Sequence, residues 1–186
     1  MGAILTGGRS TRMGEDKSNV VVAGKPMLDS VVEALRVAVD SFVLLGPDRP
    51  GYVCWPDAVH VGGPLAGIAT ALSRSTDDQV MVVAVDQPFL RHETVIPLIG
   101  HAGQVPVVPV DDHGVRQVTC ALYPTAIAKQ AVEEAEAGGS IQTLLDRVSF
   151  LPITAVTYRA WGEDGRSWFS VDTPEAAVEA EASFST

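Results

Sequence analysis

The sequence predicts an α/β protein built on one doubly wound, mostly parallel sheet with helices on both faces, and three observations carry that expectation. Short apolar runs at residues 3–5, 41–45 and 80–85 alternate with stretches whose apolar residues recur at helical spacing. The run Val80-Met81-Val82-Val83-Ala84-Val85 is apolar without alternation, the pattern of a strand covered on both sides at the centre of a parallel sheet. The 186 residues contain no linker, repeat or low-complexity tract, so a single domain over 1–186 with a sizeable core is expected.

The elements follow in order. A strand at 3–5 runs into Gly7-Gly8, and Pro26 opens a helix over 26–39 in which Leu28, Val31, Val32, Leu35 and Val39 share a face. A strand at 41–45 stops at Gly46-Pro47, completing a strand, crossover helix and parallel strand. Residues 50–56 read as irregular and 58–61 as a short third strand. Gly63-Pro64 opens the next helix, with Leu65, Ile68, Ala69 and Leu72 on one side, and after the strand at 80–85 comes a helix over 91–99.

Residues 105–109 are strand-like but carry Pro106 and Pro109, which suits a sheet edge or a short segment. Residues 117–123 read as its neighbour across the polar turn Asp111-Asp112-His113-Gly114, the one antiparallel strand expected. Helices over 125–137 and 140–148 flank Gly138-Gly139. A strand over 151–157, a short one at 169–171 and a helix over 174–182 complete the chain.

Composition excludes several classes. A formal net charge of −10 repels nucleic acid in general, so a polyanion must bind at a local basic spot. Cys54 and Cys120 form no CxxC and read as reduced, buried thiols in a cytoplasmic protein. The first residues pass straight into a strand, leaving no room for a signal peptide, and no apolar run approaches a membrane span of about 18 residues. His60, His92, His101 and His113 show no ligand spacing. Trp161 and Trp168, flanking a glycine- and charge-rich loop, read as core packing rather than as a cover for a substrate.

The local basic spot is the stretch Leu5-Thr6-Gly7-Gly8-Arg9-Ser10-Thr11-Arg12-Met13-Gly14-Glu15-Asp16-Lys17. Glycines after a strand free backbone amides for close approach. Arg9, Arg12 and Lys17 with Ser10 and Thr11 add the cations and hydroxyls that a polyphosphate accepts from. The stretch is neither GxxxxGK[ST] nor GxGxxG. A second candidate is Asp86: a carboxylate directly after a buried parallel strand lands on the rim where ligands bind, and a hard oxygen there suits magnesium. Capping the next helix is the plainer role for the same residue.

The opening stretch, continued by Gly24-Lys25-Pro26-Met27-Leu28, resembles the signature of nucleotidyltransferases of the molybdenum-cofactor guanylyltransferase type. The resemblance extends to Gly63-Pro64-Leu65-Ala66-Gly67 and to Asp86-Gln87-Pro88-Phe89. It implies a Rossmann-like nucleotidyltransferase fold. By the same resemblance, Leu5, Thr6, Gly7, Gly8 and Ser10 hold the base and ribose, and Arg12 and Lys17 face the phosphates. Gly63 and Pro64 would line the pocket, Asp57 would be the acid that contacts the nucleotide, and Asp86 would bind Mg2+ and phosphate.

Asp172, in Phe169-Ser170-Val171-Asp172-Thr173-Pro174, stands where the family commonly has asparagine and is a second candidate metal ligand; capping the helix begun by Pro174 competes with that role. Val118-Thr119 replaces the family's usual Pro-Leu on the strand expected to face the acceptor.

The resemblance thus implies an enzyme using GTP as donor and molybdopterin as acceptor, with Mg2+ as cofactor and Lys17, Asp86 and Arg12 as the catalytic residues. It also implies transient contact with other molybdenum-cofactor proteins, and no nucleic-acid or membrane partner. The alternatives are a cytidylyltransferase of the same cofactor, a guanylyltransferase of another phosphorylated metabolite, and, from a different class, a catalytically inactive nucleotide-binding protein.

Overall fold

The computed structural model describes residues 1–7, 16–56 and 63–184. The chain begins with β1 (Gly2–Leu5) and resumes at a one-turn 3-10 helix, Lys17–Asn19. A small antiparallel hairpin follows, β2 (Val21–Val22) and β3 (Lys25–Pro26), which the sequence did not announce. Its turn is made by Ala23 at φ 50° and Gly24 at φ 77°.

Next come α1 (Met27–Arg36), β4 (Phe42–Leu45), β5 (Cys54–Trp55), α2 (Pro64–Arg74), β6 (Gln79–Ala84) and α3 (His92–Gly100). Then β7 (Val107–Pro109), β8 (Cys120–Pro124), α4 (Ala128–Glu136), α5 (Ile141–Arg147) and β9 (Leu151–Ile153) follow. The remainder is α6 (Ala155–Arg159), a 3-10 turn at Arg166–Trp168 and α7 (Pro174–Phe184).

Seven strands form one sheet in the order β5-β4-β1-β6-β8-β7-β9. β1 lies between β4 and β6, parallel to both, in the register Leu5 opposite Leu45 and Ala84. Only β8 runs against its neighbours, pairing antiparallel with β6 and β7. The mostly parallel doubly wound sheet with one antiparallel strand is therefore as expected.

Strand alternation splits the core into two layers. Ala3, Leu5, Val43, Leu45, Val80 and Val82 face α2, α4 and α5, where they meet Leu65, Ile68, Leu72, Ala131 and Leu144. Ile4, Leu44, Met81 and Val83 face the opposite way onto Val31 and Leu35 of α1 and Val95 and Leu98 of α3. A third, smaller cluster of Val20, Val22, Met27, Val171 and Ala180 seats α7 on the hairpin.

Of the two readings of 105–109, the short segment holds: β7 is three residues long, with β8 on one side and β9 on the other, and the edge falls to β9 with its own Pro152. Three expectations need correction. The strand over 151–157 ends at Ile153, because Tyr158 N donates to Thr154 O and the chain coils into α6. Residues 169–171 form no strand; Phe169 N donates to Arg166 O at 3.2 Å and Val171 N to Asp86 O at 2.8 Å instead. The stretch read as irregular contains β5, whose two residues pair with Leu44 and Leu45. The strand expected over 58–61 lies outside the described residues.

Candidate active site

The carboxyl ends of β1, β4 and β6 form the rim on which the site is assembled. At the first, Thr6 N and Gly7 N both donate to Leu45 O, at 3.0 and 3.2 Å, and the Thr6 hydroxyl donates to the same oxygen at 3.0 Å. This close approach needs Gly46: its φ is 142°, and an added Cβ would stand 2.8 Å from Thr6 Oγ1 and 3.1 Å from Gly7 N. Leu5, Thr6 and Gly7 thus sit where a nucleotide loop was expected, with their backbone fixed by β4. The bond from Val85 N to Leu5 O, 3.0 Å, ties this tip to that of β6.

Lys17 is carried to the same rim by its 3-10 turn. Asp16 caps that turn, accepting from Ser18 N at 3.0 Å, and is gripped by Arg49 from the β4–β5 connection, whose guanidinium reaches Asp16 Oδ2 at 2.5 Å and Asn19 Oδ1 at 3.4 Å. Partial burial pushes the Asp16 carboxyl up, but the hydrogen bonds from Arg49 and Ser18 outweigh it and hold the group below the ordinary aspartate range. Neither residue of this clamp was singled out from sequence. Asp16 was visible inside the motif; Arg49 left no local signal, because its role exists only once β4 lies beside β1.

The Lys17 ammonium lies between two carboxylates. Nζ donates to Asp86 Oδ2 at 3.0 Å and to Asp172 Oδ1. Burial alone would push the lysine down; the hydrogen bond to Asp172 and the attraction of Asp86 overcome it, so Lys17 titrates above the ordinary lysine value. Asp86 stands two residues beyond β6, and α3 starts only at His92 with Arg91 as its cap, so Asp86 does not cap that helix. At the other carboxylate, capping and site are divided between neighbours: Thr173 Oγ1 accepts from Ala176 N at 3.2 Å, which leaves Asp172 to Lys17 and to the Ser170 hydroxyl, 3.1 Å away.

The structure therefore brings Lys17, Asp86 and Asp172 into direct contact, with Leu5, Thr6 and Gly7 on the adjoining strand tip. Gly63, at φ 115°, is the N-cap of α2 and Pro64 its first residue, with no side chain capping the first amides. Gly8, Ser10, Arg12 and Asp57 lie outside the described residues. Among the described residues, no group of three or more His, Cys, Asp or Glu is placed to hold a metal by itself.

The replacement at Val118-Thr119 turns out to be internal. Buried Gln87 accepts from Ala84 N through its Oε1 and donates through Nε2 to Thr119 Oγ1, both at 3.2 Å. Val118 packs against the core and its carbonyl accepts from the Tyr123 hydroxyl at 2.7 Å. Trp168 is also a core residue, edge-on to Tyr158 at 4.9 Å. No helix among the described residues is long and apolar enough to cross a membrane.

Comparison with known proteins bears on the fold and the family. A probable molybdenum cofactor guanylyltransferase of Natronomonas pharaonis is 32% identical over 94% of this chain and 93% of its own, and one of Pelotomaculum thermopropionicum is 30% identical over 96% and 90%. Molybdopterin-guanine dinucleotide biosynthesis protein A from Archaeoglobus fulgidus superposes with a TM-score of 0.85 over 99% of this chain and 98% of that one; at 24% identity this likeness speaks for the fold. The family model for the MobA-like NTP transferase domain matches residues 2–150, most of the chain, and the chain therefore belongs to the MobA-like NTP transferase family of nucleotidyltransferases.

Proposed function

We propose that this enzyme moves GMP from GTP to the phosphate of molybdopterin, releasing pyrophosphate and forming a guanine dinucleotide. The observation that carries the proposal is the Lys17 ammonium held by Asp86 and Asp172 at the tip of β6, beside the backbone loop that ends β1. The named activity of the relatives supports the choice of donor and acceptor.

An acceptor phosphate oxygen attacks the α-phosphorus of GTP. A new P–O bond forms, the bond to the β-phosphate's bridging oxygen breaks, and pyrophosphate departs with the electron pair. The attacking group is already an anion, so no side chain has to remove a proton. Lys17, protonated throughout the neutral range, neutralises charge that grows on the α-phosphate in the transition state, and Arg12 is assigned the adjoining phosphates. Leu5, Thr6, Gly7, Gly8 and Ser10, with Gly63, Pro64 and Asp57, hold the base, ribose and α-phosphate, so that donor and acceptor meet in line.

The two carboxylates suit Mg2+: hard oxygens from one or two acids, completed by substrate phosphates and water, are its usual shell, and Asp86 and Asp172 already converge on one cation. When bound there, the ion neutralises phosphate charge and orients the leaving group.

Purified protein incubated with Mg2+, molybdopterin and either GTP or CTP, with pyrophosphate followed, tests this. Release with GTP is expected. Faster release with CTP would assign the cytidylyl reaction instead, and nucleotide binding without release from either would make the protein a binder.

A further inference from the structure

We infer that Glu163 is a positioning residue for nucleotidyl transfer, setting Asp172 on Lys17 by fixing residues 165–172 against α3. Glu163 lies in the connection after α6, is 2% exposed, and is part of no motif read from the sequence. All its neighbours donate to it, which is the set a carboxylate accepts. Oε2 receives the hydroxyls of Thr94, in the first turn of α3, and of Ser167, the latter at 2.5 Å. Oε1 receives Gly165 N at 2.6 Å and Ser167 N at 3.3 Å.

The bonds join two segments that meet at the site. One is the β6–α3 connection, which carries Asp86 near its start; at its far end Arg91 N donates to Ser167 Oγ at 3.2 Å and the Arg91 guanidinium to Gly162 O at 3.0 Å. The other is residues 165–172, which has no strand pairing to place it. Beyond the Glu163 shell it is tied by Val171 N to Asp86 O, by the packing of Trp168 on Tyr158 and of Phe169 on Phe184, and by buried Val171 in the cluster under α7. A buried carboxylate with four donors is the hydrogen-bonded hub at the start of the chain that delivers Asp172. Both Thr94 and Ser167 are themselves buried, at 1% and 0% exposed, so removing the carboxylate leaves their hydroxyls only each other, 3.1 Å apart, and takes the acceptor from Gly165 N and Ser167 N, loosening the turn at Arg166–Trp168.

The inference rests on the proposed role of Asp172, and a double-mutant cycle separates the two. Steady-state kcat and GTP KM are measured for the wild type, Glu163→Ala, Asp172→Ala and the double variant, with Glu163→Gln as the conservative change. Glu163→Ala is expected to lower kcat about 10-fold while KM moves less than about threefold, and the double variant to be no slower than Asp172→Ala. Glu163→Gln, which keeps one accepting oxygen, should recover part of the loss.

If Glu163→Ala costs as much in the Asp172→Ala background as alone, its effect is general and the inference fails. A silent Asp172→Ala would overturn the inference together with the role of Asp172, while leaving Lys17 and Asp86 in place. A readout independent of turnover is amide hydrogen exchange: Val171 should exchange at least about 10-fold faster in Glu163→Ala while α2 amides stay unchanged, and equal protection at Val171 would overturn the inference even in a protein that releases no pyrophosphate. Should Glu163→Ala fail to fold, Thr94→Val removes one donor from the same carboxylate and must show the same signs at smaller size; no change in either readout counts against the inference.

Discussion

The two carboxylates on Lys17 reach it by different means. Asp86 rides on β6, whose neighbours β1 and β8 fix it through continuous ladders, so its place is set by backbone hydrogen bonds. Asp172 comes from beyond residue 150, where the family match ends, on a stretch outside any strand that is held by side chains. A strand tip tolerates change around it because the ladder persists, whereas a loop pinned by a few side-chain bonds loses its aim when one is removed. Replacing Asp86 itself should thus abolish chemistry while changes around it are absorbed, and substitutions on the tail side should grade it.

The largest effect is expected at the group common to both. Lys17→Ala should lower kcat by about 1000-fold, read by pyrophosphate release, because the neutralising cation is lost and two carboxylates face each other without it. Asp86→Asn should cost about 100-fold in kcat and weaken Mn2+ binding followed by electron paramagnetic resonance. Asp172→Asn, which keeps the shape of the side chain and removes its charge, should cost about 10-fold or less; a loss equal to that of Asp86→Asn would erase the distinction between ladder and loop.

Gly46→Ala forces a Cβ against Thr6 and Gly7 at a φ that side chains rarely adopt, and should raise the GTP KM several-fold with kcat almost unchanged. The smallest effect concerns pH. Because Lys17 titrates above its ordinary value, its contribution to stability is fully present below about 10.4 and is lost only as pH rises through the folded value. On the alkaline side, thermal unfolding should show the wild type keeping its advantage over Lys17→Met until that window is reached; a loss near pH 8 would contradict the pairing.

How much of this was legible beforehand follows the same division. Buried strands announced themselves as dense apolar runs, and Lys17 and Asp86 sat in contiguous motifs next to those runs, so their convergence was readable from local sequence. Residues 151–157 misled because Leu151, Ile153 and Ala155 alternate like a strand while the chain turns helical after Thr154. Residues 169–171 misled for a related reason: their apolar side chains are spent on Phe184 and on the cluster beneath α7, not on a sheet. Arg49 and Glu163 were invisible because each acts across more than 30 residues on a partner that only folding brings near, and a lone Arg after a strand or a Glu beside a glycine looks like any solvated charge.

Reversal of β8 has one further consequence. Six strands finish at the Asp86 end of the sheet and β8 starts there, so the connection of residues 110–119 lies at the same end of the sheet as Gly7 and Asp86. Within that connection Asp111 accepts from the amides of His113 and Val115 and from the side chain of Gln117, while Arg116 anchors it to Asp146 of α5 and Asp112 to Arg159 of α6. Lengthening or shortening it would reshape whatever stands opposite the triphosphate without shifting any strand, giving the scaffold an adjustable lip through which descendants of one enzyme can come to accept different molecules.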